Sequence, residues 1–487
     1  MTDPRTISSP EVFQANRGTR RRDAAGHGPR LDRRGFVGLA GGAVVAALLR
    51  GDRSAAAQAA FPQPEEIVSR DGVLSTTLTV TREVVDIGGT PIEGTVYNGA
   101  FVGPTLRLRR GERLELLLDN RLDQMTNLHF HGLHVSPEGI SDNVFIMVHA
   151  GETQQYVVEI PANHPTGTFW YHSHAHPYTE AQVFGGLGGL IVIEGLRDLL
   201  PADLQGIEER TFALKDYQAT DGAILTENID SNAPTTRTVN AAVNPSLAID
   251  AGETQLWRFA NIGADIYYEL HLDGHPFHVI ADDGNPVWRV RAHDTLVLPP
   301  GKRYEVLVQG GAPGTVELKT LAYDQQGDQY PEALLATVTV NESALTAAAL
   351  PAALVEPDDL AAVEIDAERT VTFSKDNEHG HFLIDGKLFD ENRIDQSVKL
   401  GAIEEWTIVN DNGQQHPFHI HINDFQVMSV NGEPHDAVSH QDTVNLPANG
   451  EVVIRIPFFD FTGKFVYHCH ILNHADMGMM AIVEVTA

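Results

Sequence analysis

Apolar and polar positions alternate in short runs along most of the chain from residue 65 onward. Leu74-Ser-Thr-Thr-Leu-Thr-Val80, Thr105-Leu-Arg-Leu-Arg109, Arg113-Leu-Glu-Leu-Leu-Leu118 and Gln155-Tyr-Val-Val-Glu-Ile160 each read as a strand, because side chains on a strand point to opposite faces in turn. Gly, Pro and Asn separate these runs, which predicts an all-β fold of sandwiches or barrels.

The pattern also recurs. Asn98-Gly99 leads to Pro104-Thr-Leu and Gly111-Glu112, with Asn120 nine residues past Gly111. Asn240-Ala241 leads to Pro245-Ser-Leu and Gly252-Glu253, with Asn261 nine past Gly252, and Asp385-Gly386 leads to Gly401, Glu404 and Trp406, with Asn410 nine past Gly401. A period of about 145 residues repeated three times predicts three homologous domains, drawn at 61–200, 201–345 and 346–487.

The second halves match as well. Gly151-Glu152, Tyr156-Val-Val-Glu-Ile-Pro161 and Thr166-Gly-Thr-Phe-Trp-Tyr-His-Ser-His174 parallel Gly450-Glu451, Val453-Ile-Arg-Ile-Pro457 and Thr462-Gly-Lys-Phe-Val-Tyr-His-Cys-His470. The middle copy has Pro299-Pro-Gly-Lys-Arg-Tyr-Glu-Val-Leu-Val308 at that place and no His-x-His after it, so it reads as a copy without a metal.

Charge narrows the partners. The formal net charge of the 487 residues is -32, which excludes a general nucleic-acid binder with its basic face. Arg20, Arg21, Arg22, Arg33 and Arg34 precede an apolar run from Val37 to Leu49, followed by Ala55-Ala56-Ala57. A run of about 13 residues is short for a bilayer span and has the length of a signal core, so residues 1–60 are expected to be removed, leaving no stable membrane span. Arg33-Arg34-Gly35-Phe36 resembles a twin-arginine signal, which makes that export machinery a partner and the periplasm or exterior the destination.

Cys469 is the only cysteine, so the chain has no internal disulfide. Histidines stand on either side of it, with His474 five residues later and Met479 ten later. Two His, a Cys and a weak axial Met are the donors of a blue copper site, since soft sulfur suits a Cu(I)/Cu(II) couple. On a strand, His468 and His470 would face away from Cys469, toward a second centre. Four segments offer donors for it: His129-Phe-His131, His172-Ser-His174, His416-Pro-Phe-His419-Ile-His421 and His468-Cys-His470. One His-x-His alone is weak evidence and fits a zinc pair or chance. Here the pairs sit at equivalent points of the first and last copies of a repeat.

These four segments resemble the copper-binding motifs of the multicopper oxidases, the laccase-like family, and the resemblance runs over residues 65–487. It implies three cupredoxin-like Greek-key domains and four copper ions. A type 1 copper would use His416, Cys469 and His474, with Met479 axial. The type 2 copper would use His129 and His419, and the type 3 pair His131, His172, His174, His421, His468 and His470. The implied reaction takes four single electrons from a reductant and reduces O2 to water. Because His468 and His470 are bonded to Cys469, an electron has a short through-bond route between the two centres.

Protons need a route too. Bacterial members often carry an acidic residue directly after the last type 1 histidine, where this chain has Ala475, so Asp476, one position on, is the candidate for a relay through that segment. Asp142, ten residues after Gly132, matches the family's acidic residue near the type 2 copper and is expected to feed protons to the cluster. His275-Pro-Phe-His278 copies the form of His416-Pro-Phe-His419 but reads as packing, having no partner motif in its domain. The chain has seven Met and no run of them, which favours small organic reductants such as phenols and aromatic amines. Oxidation of Cu(I), Fe(II) or Mn(II) is the enzymatic alternative, and an inactive cupredoxin scaffold or copper-binding protein the non-enzymatic one.

Overall fold

The computed structural model describes residues 61–487, and the predicted export signal lies outside them. Three successive copies of a two-sheet sandwich account for nearly all of the regular structure. In the first, the strands Glu66–Val68, Gly103–Arg109, Gly188–Glu194, Gly167–His172 and His129–His131 lie in that order in one sheet. The facing sheet holds Val73–Ile87, Thr90–Tyr97, Arg113–Asn120 and Thr153–Glu159. Arg113–Asn120 alternates strictly between half-buried and buried positions, as a strand with one wet face should. Its Leu114, Leu116 and Leu118 meet Leu106, Phe130 and Ile191 of the other sheet in the core.

The copies share a topology of mixed pairing. Val73–Ile87 runs parallel to Arg113–Asn120, Glu209–Tyr217 to Thr254–Asn261, and Ala367–Asp376 to Ile403–Asp411. In the opposite sheets Gly103–Arg109 runs parallel to Gly188–Glu194, Ser246–Asp250 to Ala333–Asn341, and Gln396–Lys399 to Met480–Thr486. These are the crossings of a cupredoxin-like Greek key. The repeated asparagine has a structural cause: each lies buried at or one residue before the end of a strand, and its amide ties the next loop. Asn120 Nδ2 donates to Gln124 and Val148 carbonyls, Asn261 Nδ2 to Ile266 and Leu298, and Asn410 Nδ2 to Gln414 and Pro447, at 2.8–3.0 Å.

Contacts between copies set where the chemistry lies. Thr254–Asn261 is buried at every position, and the first copy meets it where Arg258 Nη1 donates to Thr168 Oγ1 at 3.3 Å; beside this contact Gly167 of the first copy lies so close to Gly284 of the middle one that a Cβ on Gly167 would stand 2.5 Å from the Gly284 Cα. Ala223 also pairs with Glu93, so a hairpin of the middle copy covers an edge strand of the first. Trp170, Leu190, Ala260, Ile262 and Leu472 form an apolar cluster to which all three copies contribute. Two short α-helices, Thr179–Gly185 and Leu472–Asp476, follow the histidine strands of the first and last copies and pack together. Among the described residues no helix is long and apolar enough to cross a membrane.

Candidate metal centre

Strand pairing positions the donors. His129–His131 runs antiparallel to Gly167–His172, with His129 opposite His172. His416–Ile420 runs antiparallel to Gly463–Cys469, with Phe418 opposite Cys469 and His419 opposite His468. Because faces alternate along a strand, Cys469 points into the last sandwich while His468 and His470 point out toward the first.

On the inner side, His416 Nδ1, His474 Nδ1 and Cys469 Sγ stand 3.1–3.6 Å from one another. The turn of helix Leu472–Asp476 brings His474 back to the strand it has just left. Met479 is buried in the same core, and its backbone accepts from Cys469 N at 3.1 Å and donates to His474 O at 2.9 Å.

On the outer side, eight imidazoles meet between the first and last copies. They form the groups His129, His131, His419; His131, His172, His470; and His174, His421, His468, with ligand atoms within 4.8 Å in each. His129 stacks on His421 and His131 on His419, both with ring centroids at 3.8 Å. The two copies therefore interleave their rings, and neither holds the centre alone.

The donors fit metal ions. His129, His172 and His419 each have Nδ1 anchored within 2.8–2.9 Å of an oxygen, of Asp142, Ser173 and Asp442 respectively. Nε2 of each is buried without a partner. A buried polar atom left unpaired costs about 1–3 kcal/mol, which a metal bond offsets. Burial pushes His172 and His416 down to about 3, and burial with neighbouring imidazoles holds His129, His174, His421, His468 and His470 well below the usual range. These rings are thus neutral and offer lone pairs. Burial pushes the Cys469 thiol the other way, far up, so its thiolate needs a cation beside it.

Asp142 Oδ1 accepts from His129 Nδ1 and Phe130 N, both at 2.9 Å, while its other oxygen is buried and free. Burial pushes this carboxyl up to about 8, against the Phe130 hydrogen bond. Asp476 lies elsewhere. Its carboxylate accepts from Glu180 N at 2.8 Å and stands 3.5 Å from His176, so it joins the two helices rather than the imidazole cluster. His275 is held locally, by Asp273 O at 2.7 Å and Gly311 N at 3.0 Å.

Sequence reasoning missed what the middle copy does. Arg303, at the start of the strand equivalent to Thr153–Glu159 and Glu451–Pro457, is fully buried and grips both oxygens of Asp442 at 2.9 and 2.7 Å. Asp442 in turn stands 3.1 Å from His131 Nε2, and its carbonyl 2.9 Å from His419 Nδ1. Gly301, at φ +87°, lies against His131 and His470, where a Cβ would come within 3.0–3.2 Å of their rings. The signal was the Pro-Pro-Gly-Lys-Arg-Tyr stretch itself, which in the middle copy replaces the Gly-Glu turn that leads into the strand before the histidine strand.

Family models described as multicopper oxidase match residues 79–197, 198–315 and 362–487. Multicopper oxidase mco of Staphylococcus haemolyticus is 29% identical over 404 residues, covering 80% of this chain and 83% of the relative. Cell division protein FtsP of Dickeya dadantii is 27% identical and covers 93% of this chain and 98% of the relative. Among solved structures, the multicopper oxidase from Campylobacter jejuni, described as a metallo-oxidase, superposes with a TM-score of 0.78 at 28% identity over 88% of this chain and 96% of that one.

Proposed function

Because the chain belongs to the multicopper oxidase family and so uses copper and O2, we propose that it takes single electrons from small organic reductants, phenols and aromatic amines foremost, and passes four of them to O2 to form water. One observation carries the reading: Cys469 lies in one donor group while its bonded neighbours His468 and His470 lie in the other. A carrier would need only the first group.

His416, Cys469 and His474, with Met479 buried beside them, would hold a type 1 copper; His129 and His419 a type 2 copper; and the other six histidines a type 3 pair, four ions in all. When bound, copper supplies the one-electron redox steps and the site for O2. The chain does the rest. Cys469 gives up its thiol proton when the site fills, and its peptide links to His468 and His470 form the route between centres. Asp142 fixes the His129 tautomer, with Nδ1 as donor and Nε2 free, and its unpaired oxygen is the seat for a proton bound for the cluster. His474, 8% exposed against 0% for His416, is the ring that a reductant meets. The absence of a methionine run favours organic donors, and Arg33-Arg34 supports export in the folded state to the periplasm or exterior.

Copper analysis with visible and EPR spectra, run beside O2 uptake on a phenol and on Cu(I) and Fe(II), tests this. About four coppers per chain, an intense thiolate band and faster uptake on the phenol are expected. Faster uptake on the metal ions selects the metallo-oxidase reading, which the description of the Campylobacter jejuni relative supports. One copper and no uptake removes the oxidase, leaving a non-enzymatic binding or scaffold role; one relative of similar length is named a cell division protein.

A further inference from the structure

We propose that Lys375 and Phe382 form a charge filter over His474 that favours anionic over cationic electron donors. This rests on the reading of His474 as the ring where reductants deliver electrons. In the hairpin of Ala367–Asp376 and His381–Ile384, Lys375 pairs directly with Phe382. Their side chains meet across the strands, with Lys375 Nζ 4.6 Å from the Phe382 ring centroid. The ring stacks in turn on His474 at 3.8 Å and 22°, and meets the edge of His416 at 6.0 Å. A fixed positive charge therefore stands one aromatic ring away from the most exposed donor of the inner group.

The surroundings sharpen the effect. Leu388 and Met477, 42% and 38% exposed, give the approach an apolar rim suited to an aromatic donor. Gly478 at φ +115° lets the rim close, since a Cβ there would strike Leu388 and the Phe382 carbonyl. The nearest acid on the strand, Asp376, is turned to His379 at 2.7 Å. In the cleft beside Leu388 the carboxylates Asp376, Asp390 and Glu391 outnumber Lys387 and Arg393, both of which also reach Asp395, so the cleft is net negative and Lys375, on the Phe382 ring, works against it. With a screening length of about 10 Å at 0.1 M salt, a donor at His474 feels Lys375 while most of the acidic surface is screened.

Paired outer-sphere donors of opposite charge test the filter, ferrocenecarboxylate and ferrocenylmethyl-trimethylammonium. Each rate is read as anaerobic bleaching of the thiolate band in copper-loaded protein at about 0.1 M salt. Taking the anion-to-cation rate ratio cancels the difference in driving force when variants are compared. Lys375→Met should lower the ratio roughly three- to tenfold, while Lys375→Arg keeps it. Lys319→Met, the same charge change on the middle copy, should leave it unmoved. In the unmutated chain the ratio should fall as salt rises toward about 0.5 M, a measurement that needs no variant to fold. A Lys375→Met ratio within about 1.5-fold of wild type, or a ratio that climbs with salt, overturns the filter. Loss of the thiolate band in the wild type itself would instead sink the oxidase reading, and the filter with it.

Discussion

Arg303 of the middle copy closes on Asp442 of the last with its two guanidinium nitrogens, Nη1 to Oδ1 at 2.9 Å and Nη2 to Oδ2 at 2.7 Å, and neither side chain is more than 2% exposed. The fork holds the carboxylate against His131. Lysine would offer a single point of charge without that plane. Arg303→Lys should therefore cost about 1–3 kcal/mol in denaturant unfolding and reduce copper per chain, because the charge stays while one buried carboxylate oxygen loses its donor. Unchanged stability and copper content would show the pair to be dispensable.

Asp142→Asn keeps the shape of the carboxylate, and its Oδ1 can still accept from both His129 and Phe130, but it cannot carry a proton to the cluster. With copper fully loaded and the thiolate band intact, O2 turnover should drop by about 10- to 100-fold. Full turnover at full copper loading would refute the proton role.

Gly301→Ala places a methyl group against His131 and His470 at a backbone angle that L residues avoid. The backbone term alone is roughly 1–2 kcal/mol. Spectra should report a lowered cluster copper content with the thiolate band largely retained, because His416, Cys469 and His474 lie on the other side of the strand. Equal loss at both centres would point to global unfolding instead.

Glu209 tests the pH dependence of stability. Burial raises its carboxyl, but Arg258 and Arg107, with nitrogens at 3.0 and 2.5 Å, outweigh that and hold it well below the usual range. For a depressed carboxyl the stabilisation is present above the unfolded value of about 4.3 and is lost as pH falls through the folded one. Glu209→Gln should lower stability by about 3–5 kcal/mol at pH 7, since it leaves buried Arg258 short of a partner. The gap from wild type should then narrow below about pH 4 in thermal melts. A gap constant with pH would assign the loss to packing.

Removal of copper by a chelator should lower the melting temperature and abolish the visible band, as the metal binds the folded chain alone. Cys469→Ser should abolish the band while leaving the outer histidines able to hold copper. Calorimetry and copper analysis on the same samples distinguish the two effects.

How much of this was legible beforehand follows from the range of each interaction. The β class and the three copies were readable because alternation and the asparagine nine residues after a glycine are local features. The ten histidines and Cys469 were readable for the same reason: a strand fixes which neighbours share a face, so His-x-His and His-Cys-His carry their geometry in the spacing. Asp476 marks the limit, since one residue of offset turned it toward Glu180 of the other helix and away from the cluster.

The sequence by itself determined the candidate donors and their division into an inner and an outer group. Only the tertiary structure decided what supports and surrounds that set. Arg303 and Asp442 are 139 residues apart, Lys375 and His474 belong to different strand–loop units, and Gly301 reaches the cluster from a copy that carries no donor. No periodicity encodes such meetings. They arise when three sandwiches bury their flanks against one another, and that packing makes the middle copy part of the metal centre.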